Sequence, residues 1–503
     1  SSTRPIRIEV SADRMAARVV LQDDPEQVQP HHILTTLKQE GICHGVYPTR
    51  LFAGFLDMGR TSFPVARQDP SVERAAETRI LLHFKNNGID KDIKEMGSAL
   101  VEQKPGAPPL VKKDVFGKNT QTNGSVSLLN CGTGTRRSRD QNKVFAAKTG
   151  FPSQSIEGRF FIHPDINVLE DADLRYGALE KYANLKVLGI VTGAYPIFCG
   201  HLQAREIRGA QVTAIGSVTA DLGISEAQID SQGSIRARYI HSSTLYAFGD
   251  VYVDAEIIDS KIYCSGKIMA PGCTALSSDL YAKKGVDLGA AGNDRTRPCL
   301  IGAGTEHHVL SLLEKLDEKI IQARQPLDAL IEKKEEQENL SARVFQKMVE
   351  LKLFHDRAKK KKEALAHDFK TRKNSYKKEK LKNIATLLSN FQNRMTASVE
   401  RLKKFNHKKK QFDKKKNSFE EQIKKIQPRI DASVKQFEHD KAAMLEWARK
   451  KESSPQIQIA HTVFSGTLLK GTFSSLQIKE TLQNAAFTEK QVSDNTFELC
   501  PPS

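Results

Sequence analysis

The sequence predicts a mainly β protein with added helix: a single-stranded parallel, right-handed β-solenoid, preceded by an α+β domain and interrupted by an antiparallel α-helical coiled-coil hairpin. Three observations carry this reading. Gly216, Gly233, Gly249 and Gly266 recur at intervals of 17, 16 and 17 residues inside like-patterned segments (VTAIGSV, IDSQGSI, LYAFGDV, IYCSGKI). That period is too short for a helical-pair repeat or a propeller blade and suits one coil of a solenoid. Glycine is then absent from residue 306 to 452, where apolar residues recur at seven. β-patterned sequence returns at Gln456–Ile459 and Val463–Leu468, so the helical stretch reads as an insertion.

Residues 1–120 read as a compact α+β domain. Ile6–Val10 and Ala16–Leu21 alternate as two strands, and Ile33–Leu37 belongs to a helix that Gly41 stops. The KPGAPP tract at 104–109 breaks regular structure near a boundary. Residues 121–305 are assigned to the solenoid, with Arg159–Ile162 and Asp165–Val168 as its first strands. In the repeat, apolar or small side chains lie two and four residues either side of each glycine, and Ile224, Ile240 and Ile257 form a further row. Three inward rows predict a three-sided tube whose core is ladders of like side chains stacked about 4.8 Å apart. The glycines are expected at its corners, where positive φ or close backbone approach is needed. The register extends back to Gly200 and, with insertions, forward to Gly285 and Gly302, giving roughly six or more coils.

Residues 306–452 form the hairpin in this reading. Leu316, Ala323, Leu330, Gln337, Val344, Leu351, Ala358 and Leu365 recur at seven, as do Phe405, Phe412, Phe419 and Ile426. Ile423, Ile430, Phe437 and Met444 supply the complementary seam, which Lys409 and Lys416 interrupt. One straight helix of this length would run about 220 Å, whereas two arms reach about 105 Å and return the chain to its start. Pro326 and Pro428 are nearly symmetric about residue 377 and are expected at one level near the base. Residues 453–503 are the β segment that returns to the solenoid.

The formal charge is +17, and residues 351–416 alone hold 23 Lys/Arg against 6 Asp/Glu, a net of +17. The rest of the chain is therefore balanced, and the charge marks one segment. Lys359, Lys360, Lys361, Lys362, Lys377, Lys378, Lys408, Lys409, Lys410, Lys414, Lys415 and Lys416 are expected at the hairpin tip as a site for an anionic partner. Seven cysteines are scattered without metal-cage spacing, which suits a reducing compartment and no metal or cofactor. The most apolar stretch, Leu185–Cys199, is broken by Gly189, Gly193 and Pro196, so no transmembrane helix is expected. No hydrophobic signal core follows Ser1, and the cytoplasm is the expected compartment.

The arrangement resembles the flagellar assembly protein A family of bacterial β-solenoid proteins. Its strand–turn–strand opening is matched by Ser11, Asp13, Met15 and Ala17, and its L-x3-GI-x2-G pattern by Leu37, Gly41, Ile42 and Gly45. Its A-x-G-[DSN]-[IV] rungs are matched at Ala214–Val218 and Ala247–Val251, with Ser231 and Cys264 replacing Ala in the other two. Val463–Gly466 is similar to its closing strand. The chain departs from the family at Ala66–Pro70, which lacks the glycine of the Ala-x-Gly-x-x-Pro segment. The resemblance implies a cytoplasmic bacterial protein of flagellar biogenesis and carries no catalytic residue.

Enzymatic readings fit the residues less well. Carbohydrate-active solenoids group carboxylates on neighbouring coils, whereas here Arg238 separates Asp221 from Asp254, and Ser242 separates Glu226 from Asp259. The six-residue repeat of solenoid acyltransferases is missing, and His241, His31–His32 and His307–His308 lack ligand-spaced companions. Tyr246 and Tyr263, with Tyr252 on the adjoining row, are a candidate solenoid surface for a partner or carbohydrate. The expectation is a non-enzymatic scaffold of flagellar assembly or polar placement. It would bind protein partners of the flagellar or cell-pole machinery and form homo-oligomers. The alternative is an anion-binding protein whose basic tip meets nucleic acid, a phospholipid surface or an acidic protein, and the third reading is a carbohydrate-active β-helix enzyme.

Overall fold

The computed structural model describes residues 6–12, 14–22, 25, 28–67, 78–85, 89–105, 112–120, 129–173, 181–193, 195–372, 378–450, 455–493 and 496–501. Pro5, Asp13, Lys377, residues 68–70 and residues 106–109, all part of the sequence reading, lie outside them. The chain forms two compact units, Ser1–Lys315 with His439–Ser503, and Leu316–Glu438.

In the first unit, Ile6–Val10, Ala16–Leu21 and Ser62–Arg67 make an antiparallel sheet. Alternate residues Ala17, Val19 and Leu21 are buried against helices α1 (Pro30–Gln39) and α2 (Thr49–Asp57). Proline at the first helical position fits α1, since its missing N–H has no helical partner there. Gly41, at φ +77°, turns the chain out of that helix.

The tube starts later than expected. Arg159–His163 runs antiparallel to Phe151–Gln154 and parallel to Asn130–Cys131, outside the tube, and Asp165–Val168 is the first rung. The reversal of chain direction places His163 under the first coil. Its Nδ1 donates to the Tyr182 carbonyl (2.6 Å), which leaves Nε2 to accept the Ser153 hydroxyl (2.6 Å).

About eight parallel coils follow between residues 165 and 303. Each has a four-residue side such as Gln211–Ala214, then an eight-residue stretch such as Val218–Ser225 bent in its middle, which gives the three sides. The predicted rows stack in register: Val212, Ile229, Leu245, Ile262 and Leu280 on one side, Val218, Ile235, Val251, Ile268 and Val286 on the next, and Ile224, Ile240 and Ile257 on the third. All are buried.

At the corners the second of the two expected reasons holds, close backbone approach. Gly216, Gly233, Gly249 and Gly266 do not adopt positive φ; a Cβ on Gly233 would lie 2.7 Å from the backbone of Gly216 and Ser217, so stacked backbones require the glycine. Positive φ falls instead on Glu226, Ser242, Asp259 and Ser277, which stack at one other corner of successive coils. Their N–H groups stay bonded to the next coil, as in Ser242 to Ile258 (2.9 Å). The glycine ladder continues not at Gly285 but at Lys284, whose N–H reaches the Gly266 carbonyl (3.0 Å). Gly302 pairs with Tyr281 on a flat side.

After the hairpin, Gln456–Val463 and Leu468–Lys470 add parallel rungs to Gly285–Ala291 and Leu300–Ala303. Leu482–Ser493 then runs antiparallel on Gln456–Val463, closing the growing edge with a strand of opposite direction.

The second unit is drawn from α3 (His307–Arg372) and α4 (Lys378–Lys450). Ser341 bonds Asp413 (2.6 Å), Lys416 reaches Glu338 (3.8 Å) and Lys362 bonds Gln392, which fixes one antiparallel register. The expected seam holds: Ala323, Leu330, Val344, Leu351 and Leu365 are half-buried and Ala358 is buried, opposite Phe405, Phe412, Phe419 and Ile426. Pro326 and Pro428 are both exposed within continuous helix.

Candidate functional site: the basic hairpin and the helix root

The lysines divide by their place in the heptad. Lys359, Lys360, Lys361, Lys408, Lys410, Lys414 and Lys415 are exposed, whereas Lys362, Lys409 and Lys416 are half-buried in the seam. The seam lysines find partners: Lys362 in Gln392, Lys409 in Asp413 (2.7 Å) and Lys416 in Glu338. Hydrogen bonds from Lys409 and Ser341 hold the Asp413 carboxyl below the usual carboxylate range. Lys378 is the first residue of α4.

These lysines are not gathered at a tip. At about 1.5 Å per helical residue, Lys359–Lys362 lie about 15–20 Å from the end of α3 at Arg372, and Lys408–Lys416 about 45–57 Å from the start of α4 at Lys378. The register puts the two clusters roughly 20 Å apart along the hairpin. Net charge counted along the chain could not separate a tip from the whole outer half.

The expected tyrosine surface is also altered. Tyr246, Tyr263 and Tyr281 stack as a ladder, with ring centroids 5.3 and 5.4 Å apart. The start of α3 covers it, His307 lying edge-on at 4.4 Å from Tyr281 and the Lys315 ammonium 5.3 Å over Tyr246. Burial pushes the Tyr263 hydroxyl up to about 12. Its position on an outward row was legible, but not the helix that covers it. Tyr252 lies on another side, beneath the Arg236 guanidinium at 5.0 Å and hydrogen-bonded to Asp250 (3.3 Å). His241 is paired with Glu256 (2.9 Å).

Beside the ladder, the row Phe248, Ser265 and Lys283 receives both helix ends. His308 packs edge-on to Phe248 (4.6 Å), and its Nε2 meets the Ser265 hydroxyl (3.2 Å). Trp447 packs on Phe248 from the other helix (4.9 Å). Lys283 is fully buried; it pairs with Glu306 and donates to the Ala448 carbonyl (3.1 Å), which also accepts from Arg50 (2.9 Å). Two cations on a carbonyl near the C-terminus of α4 complement the negative end of the helix dipole. The N-terminal domain, the solenoid and both helix ends thus share one lock. Sequence reasoning missed it, although Lys283 stands in a row otherwise held by Ile215, Gln232, Phe248 and Ser265.

Burial lowers His307 to about 4 and His308 to about 3, so both act as neutral packing groups. Among the described residues no three His, Cys, Asp or Glu side chains gather as metal ligands, and no helix is long and apolar enough to cross a membrane.

Residues 168–384 match the family model of the Flagellar Assembly Protein A beta solenoid domain. The rungs from Ala172 to Ala303 lie within that span. The span runs on through α3 and into the first residues of α4. That match supports a role related to flagellar assembly, in a family that is not a known enzyme class. No curated protein and no solved structure matches the chain.

Proposed function

We propose that the protein is a non-enzymatic scaffold of flagellar assembly or polar placement, in which the solenoid is the rigid body and the helical hairpin is the partner-binding element. The carrying observation is the division of the lysines. Three serve the seam, while Lys359, Lys360, Lys361, Lys408, Lys410, Lys414 and Lys415 stay in solvent without an ion pair among the described residues. Uncompensated like charges along a hairpin repel one another, and an anionic partner relieves that repulsion. Some of the solenoid's own charges are matched in place, as in Arg208 with Glu206 (2.6 Å), Arg297 with Asp279 (2.9 Å) and His241 with Glu256, and its acids and bases alternate along the coils, as in Asp221, Arg238 and Asp254.

The test reverses Lys408, Lys410, Lys414 and Lys415 to Glu in the full chain. Loss of swimming and of co-purifying protein partners, with helix content retained, is the expected result. Unchanged swimming and partner recovery would remove the hairpin from the function. Loss confined to salt-sensitive binding of DNA or anionic vesicles would favour the anion-binding alternative.

A further inference from the structure

The heptad register separates the two edges of the hairpin, and their charge differs. In an antiparallel pair, e positions of one helix meet e positions of the other, and g positions meet g. The e edge is balanced by count: Arg324, Lys352 and Lys359 stand with Glu338, Asp413 and Glu420, and Glu338 and Asp413 accept the seam lysines Lys416 and Lys409. The g edge reads Lys333, Leu340, Lys347, Phe354, Lys361 and Asp368 on α3 and Leu387, Arg394, Arg401, Lys408 and Lys415 on α4, seven cations to one acid among these. Its seven cations are all exposed, and none makes an ion pair among the described residues.

The register that sets Ser341 against Asp413 also sets Lys347 against Lys408 and Lys361 against Arg394. Cation thus faces cation where a self-sufficient coiled coil carries opposite charges, and such pairs each cost a few tenths of a kcal/mol, roughly 0.2–0.5. Between them Phe354 faces Arg401 and Leu340 faces Lys415, with Phe354 and Leu387 both 48% exposed.

We infer that the g edge is a docking groove for an acidic amphipathic α-helix of a partner protein, laid along the hairpin as a third strand of the coiled coil. This rests on the basic hairpin being the partner-binding element and specifies the face and the partner chemistry. Two features select a helix. The cations on α4 step by seven residues, about 10.5 Å, which is the heptad step of a partner helix and far exceeds the charge spacing along a nucleic-acid duplex. Leu340, Phe354 and Leu387 recur in the same row, so apolar residues of the guest find contacts between its carboxylates. A second copy of this hairpin is excluded as occupant by its own positive charge.

The experiment compares the full chain with two variants of equal charge change. The edge variant carries Arg394→Glu, Arg401→Glu, Lys408→Glu and Lys415→Glu. The control carries Lys352→Glu, Lys370→Glu, Lys382→Glu and Lys403→Glu, all exposed and away from this edge. The probes are a helical heptad peptide with leucine in its seam and glutamate flanking it, phosphatidylglycerol vesicles, and a DNA duplex. The peptide is expected to bind the full chain and the control alike and the edge variant about tenfold or more weakly, as four pairs of a few tenths of a kcal/mol imply.

Equal loss in both variants overturns the edge and leaves a diffuse basic hairpin standing. Binding of vesicles or DNA but not of the peptide overturns the partner class. As a readout that needs no partner, Lys347→Glu turns a repulsive pair into an attractive one and should raise the melting temperature of the hairpin. An unchanged or lower value means that the edge is not strained and overturns the inference.

Discussion

The solenoid and the hairpin are both periodic, yet their charges are handled in opposite ways. In the solenoid the period is spent on burial: ladders from Val212 to Leu280 and from Ile224 to Ile257 are closed to solvent, and outward charges of both signs alternate, several in pairs. In the hairpin the seam is only half-buried, includes Lys362, Lys409 and Lys416, and leaves most cations unmatched. Burial dominates the first design, and exposed charge dominates the second. The root where Lys283, Glu306, Arg50 and Ala448 meet is where one design gives way to the other.

The largest expected break of this contrast is at that root. Lys283→Met takes a buried cation away from Glu306 and should cost about 3–5 kcal/mol, while adding Glu306→Leu should restore much of it. Urea unfolding of the single and double variants measures both, and equal losses would show that packing, not the charge pair, closes the root. Next, Ile257→Ala in a core ladder should cost about 2–4 kcal/mol, since stacked coils cannot collapse into the void. A loss under 1 kcal/mol, roughly the cost of a surface change, would mean the ladders are loosely packed.

Acid sharpens the comparison. His163 and His307 are held near 4 and His308 near 3 by burial, against 6.5 for a free imidazole. The unfolded chain therefore binds more protons below 6.5. The stability these histidines protect is complete above that pH and drains as pH falls toward 4. Denaturation midpoints of the solenoid-bearing unit should drop across this window, and a flat profile from pH 7 to pH 4 would contradict the buried neutral histidines.

The smallest effect belongs to the hairpin seam. Lys416→Leu exchanges a half-exposed ion pair for apolar contact and should stabilise the hairpin by about 1 kcal/mol. Added salt should likewise raise its melting temperature by screening like charges. A decrease in either experiment would show that the seam lysines are stabilising where they stand.

Much of the fold was legible in the sequence. Period-two rows at a fixed interval of 16 or 17 residues define coils, and rows at seven define the helical pair, because each pattern repeats enough times to identify its own geometry. Less was legible where one element meets another. Glu226, Ser242 and Asp259 turn corners in a left-handed conformation that no residue type announces, while the repeat glycines answer to backbone crowding from the next coil. The tyrosine ladder was found by register, but its cover by His307 and Lys315 depends on how the chain re-enters after Gly304. The basic segment was legible as a charge and not as an edge. Its asymmetry appears only once Ser341 is set against Asp413, since that contact fixes which lysine faces which.

The central claim is that partners meet the hairpin and not the solenoid face. The direct measurement is photo-crosslinking in cells, with a photoreactive amino acid at Lys361 on the hairpin or at Tyr252 on the solenoid, in the full-length chain. The account predicts specific protein adducts from position 361 and none from position 252. Adducts from 252 alone would contradict it and return the function to the tube.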